Sequence, residues 1–339
     1  MSANLHIDLR AICENWHLLR ERHAGGAVAG VLKADAYGLG AAPVGRALRD
    51  AGCRHFFVAN LAEALALRAA LAEPGPMIAV LNGFPPGAAP PDIWPVVNSL
   101  AAAHAHAGQG PVLLHVDTGM ARLGLDPSEL ADLPGLDIRY VMTHLACADE
   151  PAHPMNAGQR QRFAEVAARL PGVPTSLANS SGIFLGADFA SALARPGAAL
   201  FGLNPQPGRP NPMRPVVRLE APILQLREVP QGACVGYGAT WLAPRPSRIA
   251  IVEAGYADGY FRALSSLGTG ILAGRPVPVV GRISMDLTAF DVTGVPAAVG
   301  EMLTLIGPDN PPDLLAETAG TIGYELLTGL GHRFRRIYS

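Results

Sequence analysis

The chain predicts an α/β fold in which an N-terminal (β/α)8 barrel is followed by a smaller, mostly β C-terminal domain. Three observations carry this. Over the first two thirds, short apolar runs alternate with helix-like stretches, the pattern of parallel strands joined by right-handed crossovers. The stretch NPQPGRPNPMRP (204–215) then interrupts it with too many prolines for a regular element. Beyond that stretch the segments alternate and break at Gly and Pro, with few helix signatures. A length of 339 residues has room for two domains, which we place at 1–213 and 214–339.

The barrel strands are expected at 28–33 (VAGVLK), 56–60, 77–82, 94–99, 112–117, 140–144, 175–180 and 196–201. Amphipathic segments such as 61–72 and 158–170 supply helices between them. A doubly wound open sheet has similar local patterning. The strand ends favour the barrel, because Lys33, Asn60, Asn82, Asn98, Asp117, His144 and Asn179 would gather at one rim, where barrel enzymes keep their sites. In the second domain, strands are expected within 216–229, 233–242, 248–255, 270–283 and 286–292, with a closing helical stretch at 312–330.

Composition narrows the function. A hydrophobic content of 49% and a formal charge of −2 describe a soluble globular protein with ample core. No basic excess points to nucleic acid, and no apolar run approaches the roughly 20 residues of a membrane span. The first residues lack the order of a signal peptide. Cys13, Cys53, Cys147 and Cys234 show no metal-ligand spacing, so no metal is expected. Free thiols in a reducing cytoplasm are the better reading.

Lys33 is the only lysine; the other 25 of the 26 basic residues are arginine. An arginine keeps its proton, whereas a lysine amine loses it to act as a base or to condense with an aldehyde. Lys33 ends an apolar strand and is followed by ADAYG, which favours a catalytic role over a solvated loop position.

Nine segments combine with it in order: VLKADAYGLG (31–40), HVDTGMARLGL (115–125), THLACADE (143–150), ANSSG (178–182), RPGAALFG (195–202), VGYGATW (235–241), AGYADGY (254–260), GRISMDL (281–287) and TIGYELLT (321–328). Together they closely resemble the pyridoxal 5'-phosphate-dependent alanine racemases, nearly end to end. The resemblance implies that Lys33 carries the coenzyme as a Schiff base and, once freed, serves as the base on one face of the substrate α-carbon. Tyr237, from the other subunit of a homodimer, would serve the opposite face. A phenol needs nearby cations to lower its pKa, and Arg122 and His144 stand at matching positions. Arg122 would also meet the substrate carboxylate.

Arg195 matches the arginine facing the pyridine nitrogen, which it leaves unprotonated. Tyr37, Tyr324, Ser180 and the backbone at Gly197 and Ala198 match the phosphate site, although Ser180 also reads as a simple N-cap. Met285 binds substrate, and Tyr256 and Asp286 stand at the gate, by the same resemblance. His115 occupies the place where many members carry a carbamylated lysine that steadies the Arg122 equivalent, so Arg122 is expected to be steadied by a bound anion or by Asp117. The implied product, D-alanine, would feed peptidoglycan synthesis. A broad-specificity racemase or a fold-related decarboxylase is the runner-up, and a non-catalytic coenzyme carrier, built on a barrel alone, the third reading.

Overall fold

The computed structural model describes residues 3–72 and 75–339, which divide into two compact units. The larger, Arg10–Arg214, is a ring of parallel strands. Its staves are β2 (Ala27–Val28) with β3 (Gly30–Val31), then β4 (His55–Val58), β5 (Met77–Val80), β6 (Ile93–Val97), β7 (Pro111–His115), β8 (Asp137–Met142), β9 (Thr175–Ser176) and β10 (Leu193–Ala194). β3 to β9 pair in chain order, and β10 pairs with β2. The ring closes through Ala27 N–H to Ala192 O, Ala29 N–H to Ala194 O, and Arg195 N–H to Ala178 O. Gly26 makes that closure possible, since a Cβ there would collide with the Ala192 carbonyl.

Strand alternation sorts the side chains into two layers. Ala29, Val31, Phe57, Ala79, Val96 and Leu113 pack together as one buried cluster. Their sequence neighbours Val97, Val112 and Leu114 join a second one, with Phe163 and Val166 of the helix Pro154–Ala168. Full burial of each Val, Leu or Phe side chain among them stabilises the unit by about 1.5–3 kcal/mol.

Every expected barrel strand overruns its stave by two or more residues at the rim, and two of these differences shape the site. The first stave stops at Val31, and Lys33 opens a turn rather than closing a strand. The eighth stave is Leu193–Ala194, and the expected strand at 196–201 is instead a 3-10 turn at Ala198–Phe201. Pro196 has no N–H to give a ladder, so the chain leaves the sheet there.

The smaller unit comprises Pro215–Ser339 and the segment that ends at Leu9. Hence the first residues fold with the C-terminal unit, although the sequence division assigned them to the barrel. β1 (Asn4–Ile7) pairs antiparallel with β11 (Val217–Val229) and parallel with β19 (Arg335–Tyr338), burying Leu5 and Ile7 completely. The sheet continues through β18 (Met302–Ile306), β15 (Thr269–Leu272) and β16 (Arg275–Pro278), while β14 (Ser247–Val252) joins β11 to β17 (Thr288–Asp291). β12 (Cys234–Val235) and β13 (Trp241–Leu242) form a separate hairpin. Residues 312–330 form two helices, Pro312–Thr318 and Gly323–Thr328. No helix among the described residues is long and apolar enough to cross a membrane.

Candidate active site

The residue after the first stave starts an unusual backbone. Ala34, Asp35, Ala36 and Tyr37 all have φ between 52° and 57°, a left-handed turn without a glycine until Gly38. L-residues adopt this conformation at about 1–2 kcal/mol each, so the surroundings must hold it. Ala36 N–H donates to Leu32 O, Gly38 N–H to Ala34 O, and Gly40 N–H to Asp35 O, at 2.8–2.9 Å. The Asp35 carboxylate accepts Ala41 N–H at 2.7 Å, and Glu63 accepts Ala34 N–H at 2.9 Å. The turn delivers Tyr37 against Phe201 and Gly197, where an added Cβ would strike the Tyr37 hydroxyl.

Ser180 faces the same corner. Its Oγ accepts N–H bonds from Gly197 at 3.0 Å and Ala199 at 3.2 Å, so it ties two chain segments rather than capping its own helix. Ala198 N–H, between those two, donates to no acceptor among the described residues. A serine hydroxyl with its proton still to give, a tyrosine and a spare amide make an anion cradle of neutral donors.

Arg195 lies beside it, fully buried. Its guanidinium donates to the Ser176 carbonyl and hydroxyl and to the Thr143 carbonyl. Among the described residues no carboxylate pairs with it and its Nε finds no acceptor. Burial pulls its pKa down to about 10, which still leaves a cation at neutral pH. Burial, Arg195 and Arg122 press on His144, lowering it to about 3. His115 falls to about 4 through burial and Arg195. Both imidazoles are therefore neutral. Lys33, lowered by burial and by Arg122 and partly restored by Glu63, has no hydrogen-bond partner among the described residues. A site whose amine and guanidinium cations are braced largely by neutral groups, with Glu63 as the carboxylate acting on Lys33, suits an anionic ligand.

The loop bearing Arg122 is pinned at its base by Asp117 N–H to Leu125 O and Leu125 N–H to His115 O. Asp117 spends both carboxylate oxygens on the N–H groups of Gly119, Met120 and Ala121. Burial would raise its pKa, yet these donors hold it below the ordinary value. Asp117 thus steadies the backbone of the loop, not the guanidinium as the sequence reading allowed. Ala121 itself sits at φ 55°, a left-handed conformation that an L-residue adopts only at a cost. Asn98 donates to the Leu81 and Val96 carbonyls, which turns its oxygen to His115 Nδ1 at 2.8 Å. His115 must then carry its proton on Nδ1, leaving Nε2 as a bare acceptor.

Gln159, absent from the sequence-predicted set, is wholly buried and joins His144 O to Ala146 N–H and Thr118. Glu63 was also missed as a functional group, and Asn98 was read only as a rim residue. The spacing Asn60-x-x-Glu63 was the available signal for the first, and nothing in the sequence singles out Gln159.

In the other unit, Tyr237 tops the β12–β13 hairpin at 72% exposure, between Gly236 and Gly238, both at positive φ. Gly281 packs against the Val235 carbonyl, which sets the 281–287 loop beside that hairpin. Tyr256 N–H to Ser284 O and Ala257 N–H to Met285 O stitch Tyr256 to Met285, and both side chains are exposed. Asp286 accepts from Arg333 at 2.8 Å, and Arg333 also pairs with Asp258. Tyr324 lies on the Gly323–Thr328 helix, partly buried.

Comparison with known proteins converges on one family. Residues 7–205 match the family model "Alanine racemase, N-terminal domain", and 216–338 match "Alanine racemase, C-terminal domain". An alanine racemase of Acidiphilium cryptum is 54% identical, over 98% of each chain. One from Methylobacterium sp. (strain 4-46) is 50% identical over 99% of this chain and 97% of its own. The crystal structure of alanine racemase from Bartonella henselae, with covalently bound pyridoxal phosphate, superposes with a TM-score of 0.95 at 41% identity, over 100% of both chains.

Proposed function

This chain belongs to the alanine racemase family, and from that premise we propose how its residues divide the reaction. It is an enzyme that interconverts L- and D-alanine, with pyridoxal phosphate as its coenzyme. The residues present fit that group: the Ser180–Ala198–Tyr37 cradle suits its phosphate, the free Nε of Arg195 suits its ring nitrogen, and the unpartnered amine of Lys33 suits its aldehyde. When bound, the coenzyme supplies an electron sink that acidifies the substrate α-proton.

Lys33 holds the coenzyme and moves a proton at one face of the α-carbon. Its lowered pKa favours the neutral amine that a base requires. Arg122, at the exposed tip of its pinned loop, binds the substrate carboxylate. Neutral His144 cannot act as the cation that the sequence reading expected of it. Arg195, a donor that keeps its own proton, would face the ring nitrogen without protonating it and so would limit charge delocalisation away from the α-carbon.

Tyr237 of a second copy serves the opposite face. The observation that carries this is its 72% exposure, on a hairpin that also exposes Leu242 and beside a loop that exposes Met285 and Leu287. A tyrosine so placed, among apolar neighbours in water, fits a surface that a partner covers, and Tyr256, Met285 and Asp286 would border the substrate's path. Four free cysteines suit the cytoplasm, where D-alanine for peptidoglycan is made; D-alanine auxotrophy on deletion of the gene checks that role.

Solvent-deuterium exchange at the α-carbon of each enantiomer tests the two-base assignment. Lys33→Ala should lose racemisation in both directions by about 10³-fold or more, and Tyr237→Phe should lose exchange from one enantiomer only. Equal loss from both in Tyr237→Phe would sink the assignment.

A further inference from the structure

The left-handed turn after Lys33 has a carboxylate brace from outside itself. Glu63 follows the N-cap Asn60 of the helix Leu61–Leu71, whose side chain accepts Glu63 N–H at 3.0 Å. In a capping box, a Glu here would reach back to the N-cap amide. Instead, one Glu63 oxygen accepts Ala59 N–H at 2.8 Å and the other crosses to Ala34 N–H at 2.9 Å. One carboxylate therefore fastens the end of β4 to the residue that directly follows Lys33. That residue is the first of four in the left-handed region.

We propose that Glu63 is a positioning residue for Lys33, fixing the entry of the strained turn so that the amine is presented at one place, and supplying the negative charge that acts on it. The proposal rests on the reading of Lys33 as the coenzyme-bearing amine. The geometry sets Glu63 apart from an ordinary helix cap, because a cap satisfies its own helix and has no need of Ala34. The charged and titratable groups acting on Lys33 are Arg122 on the loop after β7, His144 at the end of β8, and Glu63 on its helix. With His144 neutral, Glu63 is the anion set against Arg122, and it raises the pKa that burial and Arg122 lower.

The test uses the full chain freed of coenzyme, then mixed with pyridoxal 5'-phosphate over a range of pH. The readout is the rate of adduct formation trapped by borohydride; the amine nitrogen bonds to the aldehyde carbon and one water leaves. Glu63→Gln should react about tenfold more slowly at its plateau, with the pH midpoint displaced downwards because the carboxylate that favours the ammonium is gone. Glu63→Asp, too short to span both amides yet still charged, should be slowed with the midpoint unmoved. A folded Glu63→Gln with wild-type plateau and midpoint overturns the proposal. If Glu63→Gln fails to fold, a wild-type plateau rate in Glu63→Asp overturns it equally. Lys33→Ala separates the two readings: an adduct there overturns the assignment of Lys33 and with it the role of Glu63. No adduct there, with unchanged kinetics in the Glu63 variants, overturns Glu63 alone.

Discussion

The barrel unit keeps its part of the machinery buried and cross-tied, whereas the C-terminal unit displays its part on the surface. Arg195 and Ser180 are held by several hydrogen bonds each, and Tyr37 is packed on Phe201. Tyr237, Met285 and Tyr256 are 72%, 54% and 43% exposed. A buried cation or a left-handed turn persists only where many neighbours over-determine it. An exposed phenol needs a shaped loop and a surface to press against. The first arrangement suits a coenzyme that must stay in one place, and the second suits a group lent to another copy.

Breaking the exposed surface should have the largest effect on turnover while sparing the barrel. Leu242 is 60% exposed on the β12–β13 hairpin. Leu242→Arg should dissociate the enzyme in sedimentation velocity and cut racemisation by about 10²-fold, while Lys33 still forms its borohydride-trappable adduct. An active, monomeric variant would erase the contrast between the two regions.

Loosening the buried side should be felt as stability. Ser180→Ala leaves the Gly197 and Ala199 N–H groups without their acceptor in a dry corner. The cost should be about 2 kcal/mol by chemical denaturation, with weaker retention of coenzyme. A null effect on both would show that the cradle is held by packing alone.

Acidity separates the regions further. His115 and His144 have folded pKa values of about 4 and about 3, below the unfolded value of 6.5. Each is neutral when folded but takes a proton when unfolded as pH falls below 6.5. The stability they contribute is thus present above pH 6.5 and lost as pH falls toward the folded values, on the order of 2 kcal/mol from each histidine by pH 5. His115→Asn should flatten the dependence of the urea midpoint on pH in that window; an unchanged slope would show that His115 is not held neutral.

Much of this was legible in the sequence, for reasons that particular residues make plain. The barrel strands announce themselves because parallel strands buried on both faces read as apolar runs, as VLLH does at 112–115. Lys33 stood out through the scarcity of its type. β1 was missed because four residues, NLHI, gain their meaning only from partners more than 200 positions away. The eighth strand was placed three residues late because AALF is as apolar as a strand, and only Pro196 and Gly197 mark the exit from the sheet. Glu63, Asn98 and Gln159 each also reach a backbone group 15 or more positions away, and the local spacing around them does not specify that contact.

The smallest expected effect probes the strain directly. Ala34 is exposed, at φ 53°. Ala34→Gly removes a left-handed penalty of about 1–2 kcal/mol and adds an unfolded-state entropy cost of roughly 0.5–1 kcal/mol. The variant should therefore be more stable by about 0.5–1 kcal/mol, read as a rise in the denaturation midpoint. The Glu63 bond to the backbone N–H of residue 34 survives the substitution, so the tie itself is unchanged. Coenzyme capture should nonetheless slow slightly, because a glycine beside Lys33 samples other conformations before binding. A variant that is less stable than the parent would mean that the turn is not strained at Ala34, and that the barrel's rim is held without any opposing cost.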